Sequence, residues 1–213
     1  MNLADTEREW EGEFGKFYIN RNNYTIEQLN QLYNNNYGIT RDQLNKEFLG
    51  EIDRKNRVLE IGCNIGNQLK MLQSMDFKDL WGIEISDAAI ELAKKNTKHI
   101  NIIKNSALDV AYKDEYFDLV YTSGVLIHID PKNLGTVLDN IYRLTRQYIW
   151  GFEYYTEEST PIKYRGKEDL LWKNNFMESY IKRYPDLKVV KEKKIKYLSN
   201  DNIDQMFLLE KNL

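Results

Sequence analysis

From residue 57 onward, short apolar runs alternate with stretches whose apolar positions recur every three or four residues. Val58-Leu59-Glu60-Ile61 reads as a strand, and Asn67 to Ser74 as the helix after it. Leu80 to Ile85 gives a second strand. Ser86 is placed to cap a helix that gathers Ala89, Ile90, Leu92 and Ala93 on one side. Ile100 to Ile103 is a third strand and Phe117 to Thr122 a fourth. Pro131 suits the first turn of a helix carrying Leu134, Val137, Leu138, Ile141 and Leu144, and Tyr148 to Tyr154 is a fifth strand. Strands joined by crossover-length helices predict an α/β fold with a parallel, doubly wound sheet.

Both ends depart from this rhythm. Residues 1–51 are rich in Asn, Tyr, Glu and Gln and show no strand alternation, so they predict a helical extension. Thr25 ahead of Gln28, Leu29 and Leu32, and Thr40 ahead of Gln43, Leu44 and Phe48, carry the spacing of capped helices, with Gly38 between them. Residues 52–213 form the main domain. It is interrupted at about 155–184 by an insertion of mixed charges and aromatics and closes with Leu187-Lys188-Val189-Val190 and Met206 to Glu210, an antiparallel pair around the polar turn at residues 199–202. The sum is a seven-stranded sheet, mostly parallel, with a terminal antiparallel hairpin.

Composition narrows the function. Of 213 residues, 42% are apolar and 30% charged, enough for one sizeable core, and the net charge of −3 argues against a chain that coats nucleic acid. The Lys191-Glu192-Lys193-Lys194 run reads as a solvated strand edge. No apolar run reaches membrane-spanning length and the opening residues lack the pattern of a secretory signal, so the expectation is a cytoplasmic protein without membrane or nucleic-acid partners. The single cysteine, Cys63, and the two histidines are too scattered for a metal site.

The chemistry concentrates between the first strand and its helix, at Glu60-Ile61-Gly62-Cys63-Asn64-Ile65-Gly66-Asn67. Gly62 and Gly66 let backbone pass close to a ligand, and the helix beyond them offers free N–H groups. The loop alone also fits a tight connection or a dinucleotide fingerprint. Glu84, ending the second strand eighteen residues after Gly66, is placed to accept from a ribose diol. An acid opening the loop would repel a pyrophosphate, which points to a nucleoside without phosphates.

These residues, with Phe117-Asp118-Leu119-Val120, resemble the class I S-adenosylmethionine-dependent methyltransferases over about residues 57–150, which implies a Rossmann-like methyltransferase sheet. The resemblance assigns the cofactor's amino-acid arm to Glu60, Gly62, Asn64 and Gly66, its ribose to Glu84 with Ile85, and its adenine to Ser106, Ala107 and Leu108. Tyr18, Arg21, Asn67 and Ser123 join the expected cofactor contacts, and S-adenosylhomocysteine is the expected product. Asn64 stands where many members have glycine, and Asn tolerates the left-handed conformation. A narrower resemblance covers Trp10-x-Gly12-x-Phe14-Gly15-x-x-Tyr18-x-x-Arg21-Asn22, Glu153-Tyr154-Tyr155, Tyr164-Arg165-Gly166 and Leu171-Trp172-Lys173. These look like a methyltransferase clade associated with pseudaminic acid biosynthesis, which implies an acidic sugar or sugar-nucleotide acceptor. Lys173-Asn174-Asn175-Phe176 departs from that clade's Lys-Arg-Asp-Phe.

A neutral hydroxyl acceptor needs a base. His128, just past the fourth strand, is the first candidate; the alternative is a His that caps the Pro131 helix or packs under the loop. Glu153, ending the fifth strand, is the second; the alternative is a surface carboxylate or a partner for Arg165. Trp10, Tyr154, Tyr155 and Arg165 suit a carbohydrate acceptor, and Trp10 equally suits helix packing onto the sheet. A different small molecule, an amine or natural-product hydroxyl, and a non-catalytic cofactor-binding module remain the rival readings.

Overall fold

The structure is a computed structural model that describes residues 5–166 and 170–212. Four helices precede the sheet: α1 (Asp5–Glu11), α2 (Glu13–Arg21), α3 (Ile26–Tyr37) and α4 (Arg41–Leu49). Thr25 and Thr40 each close a full capping box with Gln28 and Gln43, and Gly38 ends α3 at φ 71°. These are the two helices the sequence predicted. The Trp10–Phe14–Tyr18 stripe also lies on helices, and its rings pack edge to face at 5.1 and 5.2 Å. Gly15 is required where α2 folds back on α1, because a Cβ there would lie 1.7 Å from the Trp10 carbonyl oxygen.

The alternating region gives β1 (Arg57–Ile61), α5 (Asn67–Ser74), β2 (Asp79–Glu84), α6 (Asp87–Asn96), β3 (Asn101–Lys104), β4 (Phe117–Ser123), a single 3₁₀ turn at Leu126–His128, α7 (Pro131–Leu144) and β5 (Thr145–Tyr154). The chain then makes a small pair, β6 (Thr160–Pro161) with β7 (Trp172–Lys173), followed by α8 (Phe176–Arg183), β8 (Leu187–Lys196) and β9 (Ile203–Lys211). The main sheet has seven strands in the order β3-β2-β1-β4-β5-β9-β8. β1 to β5 run parallel, and β9 is antiparallel to both β5 and β8. The order reverses between β1 and β4, where such sheets open a crevice at their carboxyl ends.

One face of the sheet is covered by Leu44 and Phe48 of α4, Leu69 and Leu72 of α5 and Ile90 of α6, the other by Val137, Leu138 and Ile141 of α7 with Phe176 and Tyr180 of α8. Arg41 of α4 is wholly buried on the first face. Its Nε donates to Asn45 Oδ1 at 2.9 Å and its Nη1 to the Tyr33 hydroxyl at 2.8 Å, and its guanidinium lies 4.5 Å from the Phe152 ring centroid.

Two segments hold more regular structure than the sequence reading assigned them. The predicted insertion contains a helix, α8, whose Phe176 and Tyr180, one turn apart, are both buried; Asn175 caps it by accepting from Glu178 N at 3.1 Å. The terminal strands are also longer than their apolar runs. The lysine run lies inside β8, at the sheet edge, where Lys193 pairs with Glu47 of α4 at 2.7 Å.

Candidate active site

A cleft crosses the carboxyl ends of β3, β2, β1 and β4 and is roofed by α1 and α2. It is lined by residues of all six elements and their loops and holds ≈ 850 Å³ of empty space, part of it open to solvent.

At the end of β1 the backbone turns through left-handed conformations at Gly62 (φ 68°) and Asn64 (φ 47°). A Cβ on Gly62 would lie 2.8 Å from Val125 Cγ2, so glycine is needed to bring the bend against the loop after β4. Asn64 holds its conformation with its own Oδ1, which accepts from Ile65 N at 2.9 Å. At the end of β2, Glu84 is 8% exposed and lines the cleft. Its carboxylate accepts from Asn64 N at 2.9 Å, Ile85 N at 2.8 Å and Ser86 N at 2.9 Å. Burial raises its pKa while these backbone bonds oppose the rise. At the end of β3, Asn105 and Ala107 line the cleft, and the Ser106 hydroxyl donates to Glu7 of α1.

The β4 side carries Ser123, Gly124, Val125, His128 and Ile129. His128 Nδ1 lies 2.7 Å from the Leu170 carbonyl oxygen. A carbonyl only accepts, so Nδ1 bears the hydrogen and Nε2 keeps its lone pair. Burial pushes the His128 pKa down to about 4, so the imidazole is neutral at physiological pH. Trp10 lies 4.4 Å from the His128 ring, and Tyr164 lies 5.6 Å from it.

The structure therefore brings Trp10, Tyr18, Gly62, Asn64, Glu84, Ile85, Ala107, Ser123 and His128 to one cleft. The remaining sequence candidates lie elsewhere. Glu60 is buried beneath the loop, accepts from the Tyr121 hydroxyl at 2.9 Å, and is pushed up to about 8 by desolvation. Glu153 is buried under the 3₁₀ turn, accepting from Val125 N at 3.1 Å and Ile127 N at 3.4 Å, with its pKa raised to about 7 by burial. It braces the loop that carries His128 and does not line the cleft. Gly66 starts α5, and Asn67 donates to the Asn22 carbonyl at 2.7 Å. Arg21 is exposed, 5.5 Å from the Tyr18 ring. Ser106 faces Glu7, and Leu108 donates its N–H to Ser106 Oγ at 3.0 Å. The Tyr154 hydroxyl accepts from Tyr197, the Tyr155 hydroxyl takes a bond from Lys194, and Arg165 is exposed on a left-handed turn (φ 52°). Of the residues the sequence reading missed, Asn105 and Glu7 stand out. Asn105 was within reach, being the first residue beyond β3. Glu7 carries no local signal, because only the packing of α1 over the sheet brings it there.

An S-adenosyl group fits this cleft. Glu84 Oε2, which accepts only from Asn64 N, has acceptor capacity left for a ribose hydroxyl, the glycine bend admits an amino-acid arm, and Asn105 Oδ1 is buried without a hydrogen-bond partner. Among the described residues no group of three or more His, Cys, Asp or Glu is placed to hold a metal, and no helix is long and apolar enough to cross a membrane.

Residues 58–148 match the methyltransferase domain family. An O-methyltransferase from Aspergillus nomiae, rstn1, is 32% identical over 99 residues, 44% of this chain and 43% of its own length, so the match spans less than half of that relative. Geranyl diphosphate C-methyltransferase from Streptomyces coelicolor A3(2), solved with S-adenosyl-L-homocysteine, superposes with a TM-score of 0.65 at 9% identity, covering 81% of this chain and 77% of that one. The [4+2]-cyclase SpnF superposes at 0.68 and 13% identity, over 89% and 98%. Residues 58–148, less than half of the chain, are thus similar to a methyltransferase domain, and S-adenosylmethionine is the cofactor of that class. The fold by itself does not fix the reaction, since it also serves a cyclase.

Proposed function

We propose that the protein transfers the methyl group of S-adenosylmethionine to a hydroxyl of a small acidic sugar or sugar nucleotide, with α1 and α2 acting as a lid; α3 and α4, the rest of the lid expected over residues 1–51, pack in the core of the catalytic domain. The cofactor supplies an already activated methyl group, so the protein has to align the acceptor and remove one proton. Gly62, Asn64, Glu84 and Asn105 would hold the cofactor along β1 to β3. The acceptor then lies at the β4 end, beside His128 and the Trp10 ring packed on it.

The observation that carries this reading is the fixed tautomer of His128 at that end of the cleft. Nε2 takes the acceptor proton as the carbon–oxygen bond forms. A conjugate acid of pKa about 4 makes a weak base for a free alcohol. It suffices here because the proton becomes strongly acidic once the oxygen is being alkylated. The aromatic faces of Trp10 and Tyr164 suit the C–H face of a sugar ring, and Arg21 and Arg165 at the surface nearby supply positive charge for an acid group. The sequence motifs at both ends of the chain support the sugar assignment, and the O-methyltransferase relative supports oxygen as the acceptor atom. The same aromatic walls also fit a flat phenol.

Radiolabelled S-adenosylmethionine incubated with nonulosonic acids, sugar nucleotides and catechol tests this directly. Label transfer to a sugar acid or sugar nucleotide is expected. Transfer to catechol alone would move the acceptor to the phenols, and no transfer to any of them would overturn the acceptor assignment.

A further inference from the structure

The base-binding end of the cleft has an unusual polar character, and part of it comes from the roof. With the amino-acid arm in the β1 bend and the ribose on Glu84 of β2, the order β3-β2-β1-β4 leaves the purine only the β3 end. There Asn105 lines the cleft, 7% exposed, with its buried Oδ1 lacking any hydrogen-bond partner. Glu7, also 7% exposed, enters the same lining from α1. Ser106 has its hydrogen committed to Glu7, and its oxygen accepts from Leu108 N at 3.0 Å. A carboxylate and an amide oxygen therefore meet the edge of the base. The 6-amino group of adenine offers two hydrogens to two acceptors, whereas a 6-oxo purine would set oxygen against oxygen.

We propose that Glu7, on the roof helix, reads the adenine 6-amino group together with Asn105, which makes α1 a specificity element of the cofactor site. This rests on the S-adenosyl reading above. It also couples the two halves of the cleft: Glu7 and Trp10 are three residues apart on one face of α1, so the contact that grips the base sets the aromatic wall against His128.

The test is calorimetric binding of S-adenosylhomocysteine and of its 6-oxo analogue, S-inosylhomocysteine. The wild type should favour the amino compound by ~100-fold or more, because a site built for a donor rejects a ligand lacking it. Glu7→Gln should cut that preference to about 10-fold or less, since the glutamine amide donates to the oxo group. Glu7→Ala should narrow it by weakening S-adenosylhomocysteine alone. Each preference is a ratio on one protein sample, so partial loss of folded material cancels. A wild-type ratio near one, or an unchanged ratio in Glu7→Gln, overturns the assignment of Glu7. Failure of the wild type to bind either ligand counts instead against the S-adenosyl reading.

Discussion

His128 sits on the 3₁₀ turn after β4, and Glu153, near the end of β5, braces that turn from beneath. His128→Ala should lower kcat by ~10² to 10⁴ while S-adenosylhomocysteine affinity stays within a few-fold of wild type. Unchanged turnover in a labelled-methyl assay would reduce His128 to packing. Because burial holds its pKa near 4, the acid limb of kcat/KM due to this residue should fall near pH 4 and not near 6.5. Glu153 predicts a stability signature. Its folded pKa of about 7 lies above that of an unfolded glutamate, so the folded state binds the extra proton. The stabilisation is full at acid pH and is lost as pH rises through about 7, by up to ~3 kcal/mol. Melting curves at pH 5 and pH 7.5 should show a smaller loss in Glu153→Gln, and the difference between the two proteins isolates this group. Much of the site was legible at this scale. Gly62, Asn64 and Glu84 lie where a strand-turn-helix and a strand end must put them. Glu60, Glu153 and Tyr155 were misread because strand alternation and burial aim side chains in ways a motif does not record.

At the scale of elements, α3 and α4 depend on Arg41. Arg41→Ala should destabilise the fold by about 3 kcal/mol, since it empties a buried site against Phe152 and strips Asn45 Oδ1 and the Tyr33 hydroxyl of their partner. Urea unfolding measures this, and a loss below about 1 kcal/mol would contradict the anchoring role. The strands and helices from β1 to β5 could be read from periodicity, and the two capping boxes from Thr25 and Thr40. The helix α8 was hidden because its two buried aromatics sit among charges in an eight-residue segment, too short for a clear period. The lysine run was read as a strand edge and lies in β8; what its sequence did not show is that pairing to β9 carries the strand from Leu187 to Lys196.

Over the whole molecule, α1 and α2 roof a cleft whose floor is the carboxyl ends of the strands, so a ligand held beneath them should order them. Saturating S-adenosylhomocysteine should slow amide exchange in residues 6–21 relative to the free protein, with little change in α8 on the far side of the sheet. The central claim is that the carboxyl ends of β1 to β4 hold an S-adenosyl group with its ribose on Glu84. A crystal structure of the complex with S-adenosylhomocysteine tests it most directly. The expected result is a ribose hydroxyl within about 3 Å of Glu84 Oε2, the base beside Asn105 and the sulfur facing His128. A ligand bound elsewhere, or with its ribose turned away from Glu84, would contradict it.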